Sequence, residues 1–144
     1  MTLHEMSISD IQQALSAGEL SAHEIARQTL EAIGRVNPQI NAWTTVTEAR
    51  MLAEAENIDT LRREKRPLPP LAGVPYAVKN LFDVAGHTTL AGAELFSQRP
   101  AAAADSFAVR QLRSAGGLLT GMVNMDAYAY GFTTENSHYG TTRN

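Results

Sequence analysis

Apolar residues recur at helical spacing through the first third of the chain and then give way to short continuous apolar runs. Ile8, Ile11 and Leu15 form one stripe, the face a helix buries. Ser7, with Asp10 three residues on, predicts the cap that opens this helix, and Gly18 its end. Ser21 and Glu24 make a second capping box. Ile25, Thr29, Ala32, Ile33 and Val36 follow at helical spacing, and Asn37-Pro38 predicts the stop. Two capped helices with a short link predict an α-hairpin whose stripes serve packing. Ile40 to Val46 is rich in β-branched and aromatic residues and predicts a strand. A third helix is expected from about Thr47 to Arg63, with Met51, Leu52, Ala55, Ile58 and Leu61 on its apolar face. Pro67, Pro69 and Pro70 then predict a stiff loop.

From Leu71 the pattern changes. Gly73 and Pro75 mark a turn, and Tyr76 to Val78 reads as a buried strand. Val84 to Gly92 is turn-like, and His87 within it is expected to be exposed, with no second metal ligand near it. Ala101 to Ala104 reads as a linker, and Asp105 predicts the cap of a fourth helix. Phe107 or Ala108, Leu112 and Ala115 should face inward, and Gly116-Gly117 should end the helix. Leu118 to Val123 predicts a second buried strand. Strand, helix, strand at this spacing is a βαβ unit, with parallel strands and a right-handed crossover. The segment from Asn124 to Gly140 begins where a parallel strand ends, the usual place for a ligand crevice. Its polar and aromatic composition suits a pocket lining and a surface loop equally.

Composition narrows the function classes. A chain of 144 residues, 44% hydrophobic and 19% charged, is long enough for one domain with a core and is not a disordered tail. A net charge of −3 argues against a nucleic-acid partner, because phosphate binding wants clustered Lys and Arg. The densest basic run, Arg62 to Arg66, is broken by Glu64 and reads as a solvated helix end. The absence of cysteine removes disulfides, thiolate zinc sites and a cysteine nucleophile. The first residues show no basic stretch followed by an apolar one, and no apolar run approaches a membrane span. A soluble cytoplasmic protein without a membrane partner is expected.

Lys79 stands where the strand pattern wants a hydrophobe. A buried ammonium is costly unless paired or neutralised. Desolvation lowers a lysine pKa, and a lysine so treated can act as a general base. The alternative is a lysine that ends its strand and reaches into water.

Two stretches carry a resemblance. The run Gly73-Val74-Pro75-Tyr76-Ala77-Val78-Lys79-Asn80 is similar to the lysine motif of the amidase signature family. Asn124-Met125-Asp126, then Gly131, then Glu135 to Gly140, resembles that family's second landmark. The runs Tyr76 to Asp83 and Tyr130 to Asn136 look like a branch acting on small urea-like amides. The resemblance implies an α/β fold: helices followed by βαβ units of a mixed sheet, here the N-terminal part of the amidase-signature fold and incomplete as given. It places one partial domain over 1–144, helical to about 66, with the sheet core starting at about 71. It implies amide-bond hydrolysis by a Ser–cis-Ser–Lys triad, with Lys79 as the base. Both triad serines are expected beyond Asn144, because Ser97, Ser106, Ser114 and Ser137 lack the glycine-rich setting. The isolated chain is therefore expected to be inactive, to leave apolar faces uncovered, and to be prone to aggregate. Met125 and Tyr128 are implied to line the substrate cleft, and Asp126 to hold a loop through backbone amides. Asn80 and Ala127 stand where many members carry Asp and Glu. No metal and no organic cofactor is implied. The implied partner is a small-molecule amide; a homodimer and a small accessory subunit stay open. The resemblance also admits the glutaminase subunit of a tRNA-dependent amidotransferase, and the missing serines admit a non-catalytic truncated product.

Overall fold

A computed structural model describes residues 3–144. Four α-helices are present among them: α1 (Ile8–Ala17), α2 (Ala22–Ile40), α3 (Glu48–Arg63) and α4 (Phe107–Ser114). Five strands accompany them: β1 (Trp43–Val46), β2 (Pro75–Lys79), β3 (Leu118–Val123), β4 (Glu135–Asn136) and β5 (Gly140–Thr141). Backbone packing divides the chain into two interleaved units. A helical unit takes the chain through Gly34, Thr47–Tyr76 and Leu112–Thr120, and a loop-rich unit takes Arg35–Val46, Ala77–Gln111 and Gly121–Asn144.

In the helical unit the capping signals act as expected. Ser7 Oγ accepts from Asp10 N at 3.2 Å while Asp10 Oδ2 accepts from Ser7 N at 2.8 Å. Gly18 closes α1 in the left-handed conformation at φ 78°. Ser21 and Glu24 repeat the box at the start of α2, at 3.0 and 2.8 Å. The buried Asp59 of α3 adds a second clasp there, accepting from Ala22 N at 2.9 Å and His23 N at 3.0 Å. That clasp joins positions 37 and 36 residues apart, so no local pattern shows it. The core is aliphatic: Ile11, Leu15, Ile25, Met51, Ile58 and Leu118 are buried together. Each such side chain contributes about 1.5–3 kcal/mol by leaving water. The N-terminus of β3 joins this unit through Leu118 N to Val74 O (2.9 Å) and through Thr47 Oγ1, which donates to Leu119 O (2.7 Å).

Helix α2 does not stop at Asn37-Pro38 but runs through Pro38 to Ile40. Pro38 forfeits one backbone bond, and the residue four before it is Gly34, the least bulky neighbour for its ring. The stop is made by Asn41, in the left-handed region at φ 50°. Asn37 helps: its Oδ1 accepts from Ala42 N (2.9 Å) and Trp43 N (2.8 Å).

Strands β1, β3 and β2 lie in that order in one mixed sheet. β1 is antiparallel to β3, with a register shift between Trp43 and Thr45. Val74 O accepts from Leu118 N and Val123 O from Asn80 N, so partners advance together and β2 runs parallel to β3, as the βαβ spacing predicts. Gly121 sits at the shift with φ 155°, and a Cβ there would meet Thr45 O at 2.1 Å. Helix α4 differs from expectation in its inner face: Val109 is fully buried and Phe107 is exposed. The helix is assigned from Phe107, and Asp105 Oδ1 accepts from Ala85 N (2.9 Å).

Candidate functional site

The loop-rich unit holds every residue singled out for chemistry, and it is built on buried asparagines. β2 alternates: Val78 is buried, Lys79 is exposed and Asn80 is buried. The period of two turns Lys79 away from the face that receives its neighbours. Of the two readings of Lys79, the lysine that ends its strand and reaches into water is the one observed, and the buried one is not. The Lys79 carbonyl accepts from Leu81 N (2.7 Å) and Phe82 N (3.1 Å), so the chain turns sharply just after it.

Asn80, 1% exposed, anchors that turn with four bonds. Its N donates to Val123 O (2.9 Å) on β3, and its carbonyl accepts from Ala91 N (2.7 Å). Its Oδ1 accepts from Leu90 N (2.9 Å), and its Nδ2 donates to Thr44 Oγ1 (2.7 Å) on β1. The loop at 90–92 carries the framework onward, because Ala91 O accepts from Tyr128 N (2.8 Å). Lys79 and Tyr128 thus sit on one continuous hydrogen-bonded scaffold.

Met125 is 1% exposed and, against expectation, is not among the residues that line the groove beside Tyr128. Its carbonyl accepts from Asn136 Nδ2 at 3.0 Å. Asn136, also buried, donates to Gly92 O (2.6 Å) and accepts from His138 N (2.8 Å) and Tyr139 N (2.9 Å). Asn124 works the same way, donating to Gly140 O (2.9 Å) and accepting from Met125 N (3.0 Å). Asp126 holds a loop, as expected: its carboxylate accepts from Thr134 N (3.0 Å) and Glu135 N (3.2 Å). The loop packs so closely that a Cβ on Gly131 would lie 2.6 Å from Asp126 Cγ. Tyr128, Ala129 and Thr134 all have left-handed φ near +55° (56°, 58° and 53°). Such conformations cost about 1–3 kcal/mol each and persist only where surroundings impose them.

Tyr128 is 59% exposed and lines an open groove of about 550 Å³ with Glu94, Leu95, Ser97, Gln98 and His138. Its ring meets Phe96 edge-on at 5.7 Å, and the Arg99 guanidinium lies 3.8 Å over the Phe96 ring. His138 Nδ1 is 3.0 Å from Glu94 Oε2. Burial, and then the nearby Glu94 charge, raise the Tyr139 phenol above its ordinary range. The Tyr139 hydroxyl donates to Ala93 O at 3.5 Å. His87 is half-buried rather than exposed. Among the described residues no group of three His, Asp or Glu is placed to hold a metal ion, and no helix is long and apolar enough to cross a membrane.

The sequence singles out Lys79, Met125 and Tyr128; the structure exposes Lys79 and Tyr128 and buries Met125, which is not among the residues lining the groove. The Asp126 latch is present, whereas the bonds made by Asn80, Asn124 and Asn136 have no local pattern that announces them. The signal available was the concentration of asparagine in segments with little apolar periodicity; a residue that satisfies both donors and acceptors is what buried irregular backbone requires.

The Amidase family model matches residues 24–144. The chain is 49% identical over 139 residues to the AtzE subunit of 1-carboxybiuret hydrolase from Pseudomonas sp. (strain ADP), covering 96% of this chain and 30% of that protein. It is 37% identical over 143 residues to a glutamyl-tRNA(Gln) amidotransferase subunit from Salinispora tropica, covering 99% and 29%. A solved structure from a protein complex described as vestigial, and as revealing the origins of an s-triazine catabolic enzyme, superimposes with TM-score 0.95 at 49% identity, covering 96% and 30%. A bacterial aryl acylamidase of the amidase signature enzymes superimposes with TM-score 0.88 at 27% identity, covering 96% and 29%. The chain spans about 30% of the length of these relatives. Its α/β fold with a mixed sheet is theirs over that span, and the chain belongs to the amidase signature family.

Proposed function

We propose that this chain supplies the general base of an amide-bond hydrolase acting on a small urea-like amide, 1-carboxybiuret or a close analogue. The observation that carries the reading is Lys79 at the C-terminal end of parallel strand β2, exposed and held by the buried Asn80 behind it. The 49% identity to 1-carboxybiuret hydrolase supports the substrate class. The proposed chemistry is acyl transfer through a Ser–cis-Ser–Lys triad. A serine attacks the amide carbonyl and a second serine relays its proton to Lys79; the proton then passes to the departing amine as the C–N bond breaks, and water hydrolyses the acyl-serine. Backbone amides would stabilise the oxyanion. The two serines are proposed to lie in sequence that follows residue 144 in the intact protein. Tyr128 would border the cleft, with the buried Met125 three residues before it. The protein is proposed to be cytoplasmic and to work with a small accessory protein, since the 1-carboxybiuret hydrolase relative is itself named as one subunit of its enzyme.

The test is ammonia release from a panel of biuret-type amides and glutamine. The 144-residue chain, the polypeptide extended to the length of its relatives, and the extended Lys79→Ala variant are compared. Activity confined to the extended protein and reduced about 10³-fold by Lys79→Ala is expected, the scale of a lost general base. Activity in the short chain would overturn the triad assignment. Preference for glutamine would favour the amidotransferase reading, which the 37% identity to such a protein supports.

A further inference from the structure

We propose that Thr44 and Asn80 form a positioning pair that fixes Lys79 for the reaction. This rests on Lys79 being the base. Thr44 Oγ1 donates its proton to Met122 O at 3.0 Å, so only its lone pairs face Asn80. Asn80 Nδ2 donates to that oxygen at 2.7 Å, while Oδ1 accepts from Leu90 N at 2.9 Å. The side chain must therefore donate on one side and accept on the other. An amide does both, and a carboxylate does not. Neither residue lines the groove beside Tyr128. The pair ties β2 to β1 in the residue after the base, and the same residue's backbone ties it to β3 and to the loop at 90–92.

Three consequences are specific to this arrangement. Asn80→Asp keeps the Leu90 contact but sets a carboxylate against the lone pairs of Thr44. If the Thr44 hydroxyl rotates to meet it, the Met122 carbonyl loses the Thr44 bond. Thr44→Val keeps the shape of the side chain but removes the acceptor for Nδ2. Thr44→Ser keeps the acceptor. In each case Lys79 itself is unaltered, so any change in turnover reports its placement.

The experiment measures kcat and KM in the extended protein for Thr44→Val, Thr44→Ser, Asn80→Asp, the Thr44→Val/Asn80→Asp double variant and Lys79→Ala. Melting temperatures are recorded alongside. Displacement of a catalytic group by a fraction of an ångström supports an expected fall in kcat of about tenfold for each of Thr44→Val and Asn80→Asp, with KM unchanged. Thr44→Ser should restore kcat to within about twofold of the parent, and the double variant should be no worse than either single, because both break one unit. Wild-type kcat in folded Thr44→Val and Asn80→Asp, or additive losses in the double variant, would overturn the pair. So would losses in kcat that follow melting temperature across the set without rescue by Thr44→Ser. Retention of activity by Lys79→Ala is a different result: it would overturn the base assignment itself.

Discussion

The two units are stabilised by different chemistry. The helical unit buries Leu15, Ile25, Met51 and Leu118 against one another, and its helices satisfy their own backbone. The loop-rich unit has little regular structure, and side chains join its backbone bonds in holding the segments: Asn37, Asn80, Asn124, Asn136 and Asp126 each bond backbone outside their own residue. Among the described residues the large exposed apolar side chains fall, except Ile8, in the loop-rich unit. Tyr130 and Phe132 at its surface are 94% and 104% exposed. The second family landmark and the lysine end of the first, from Ala77, thus fall in the unit that apolar burial explains least. Lys79 and Tyr128 sit where polar satisfaction rather than volume sets the geometry. Such a unit tolerates little chemical change at its asparagines, whereas an aliphatic core tolerates isosteric repacking.

The strongest way to break this contrast is Asn136→Asp. It removes both donors to Gly92 O and Met125 O and buries a charge. A loss of about 3–5 kcal/mol in urea unfolding is expected, the scale of an uncompensated buried charge. Leu15→Ala in the helical unit is expected to cost about 3 kcal/mol. If Asn136→Asp costs less than Leu15→Ala, the asparagine framework does not dominate its unit. Asp59→Ala comes next, since it frees two amides at the start of α2. A loss of about 2 kcal/mol is expected by thermal unfolding. An unchanged melting temperature would show that the Ser21–Glu24 box suffices alone.

The smallest effect separates the units by pH. Bonding from the Ser7 side chain and then its backbone lowers the Asp10 pKa, and the Ser21 backbone and then its side chain lower that of Glu24. A carboxylate whose folded pKa is depressed stabilises above its unfolded pKa, and the contribution disappears as pH falls through the folded value. Both boxes lie in the helical unit, so acid should loosen the amides of α1 and α2 first. Hydrogen exchange between neutral and acid pH tests this. Equal loss of protection in the loop-rich segments would remove the distinction.

The sequence by itself determined the elements whose cause is local. The two capping boxes, Gly18 as the end of α1, the apolar face of α3, strand β3 from Leu118 to Val123 and the parallel βαβ spacing are all legible because a few neighbouring residues settle them. The family motifs around Lys79 and Asn124 were legible too, since motif residues are read in order. At Pro38 the local pattern misled, because the helix is stopped by the left-handed Asn41 and by the bonds Asn37 makes beyond it. The choice between the two readings of Lys79, the burial of Met125 and His87's half-burial were decided by the tertiary structure. So was the pairing of Thr44 with Asn80, which brings together residues 36 positions apart. The physical reason is one of range. Caps and periodic stripes act within a turn or two of the chain, whereas a buried amide chooses partners only after strands and loops have been brought against it.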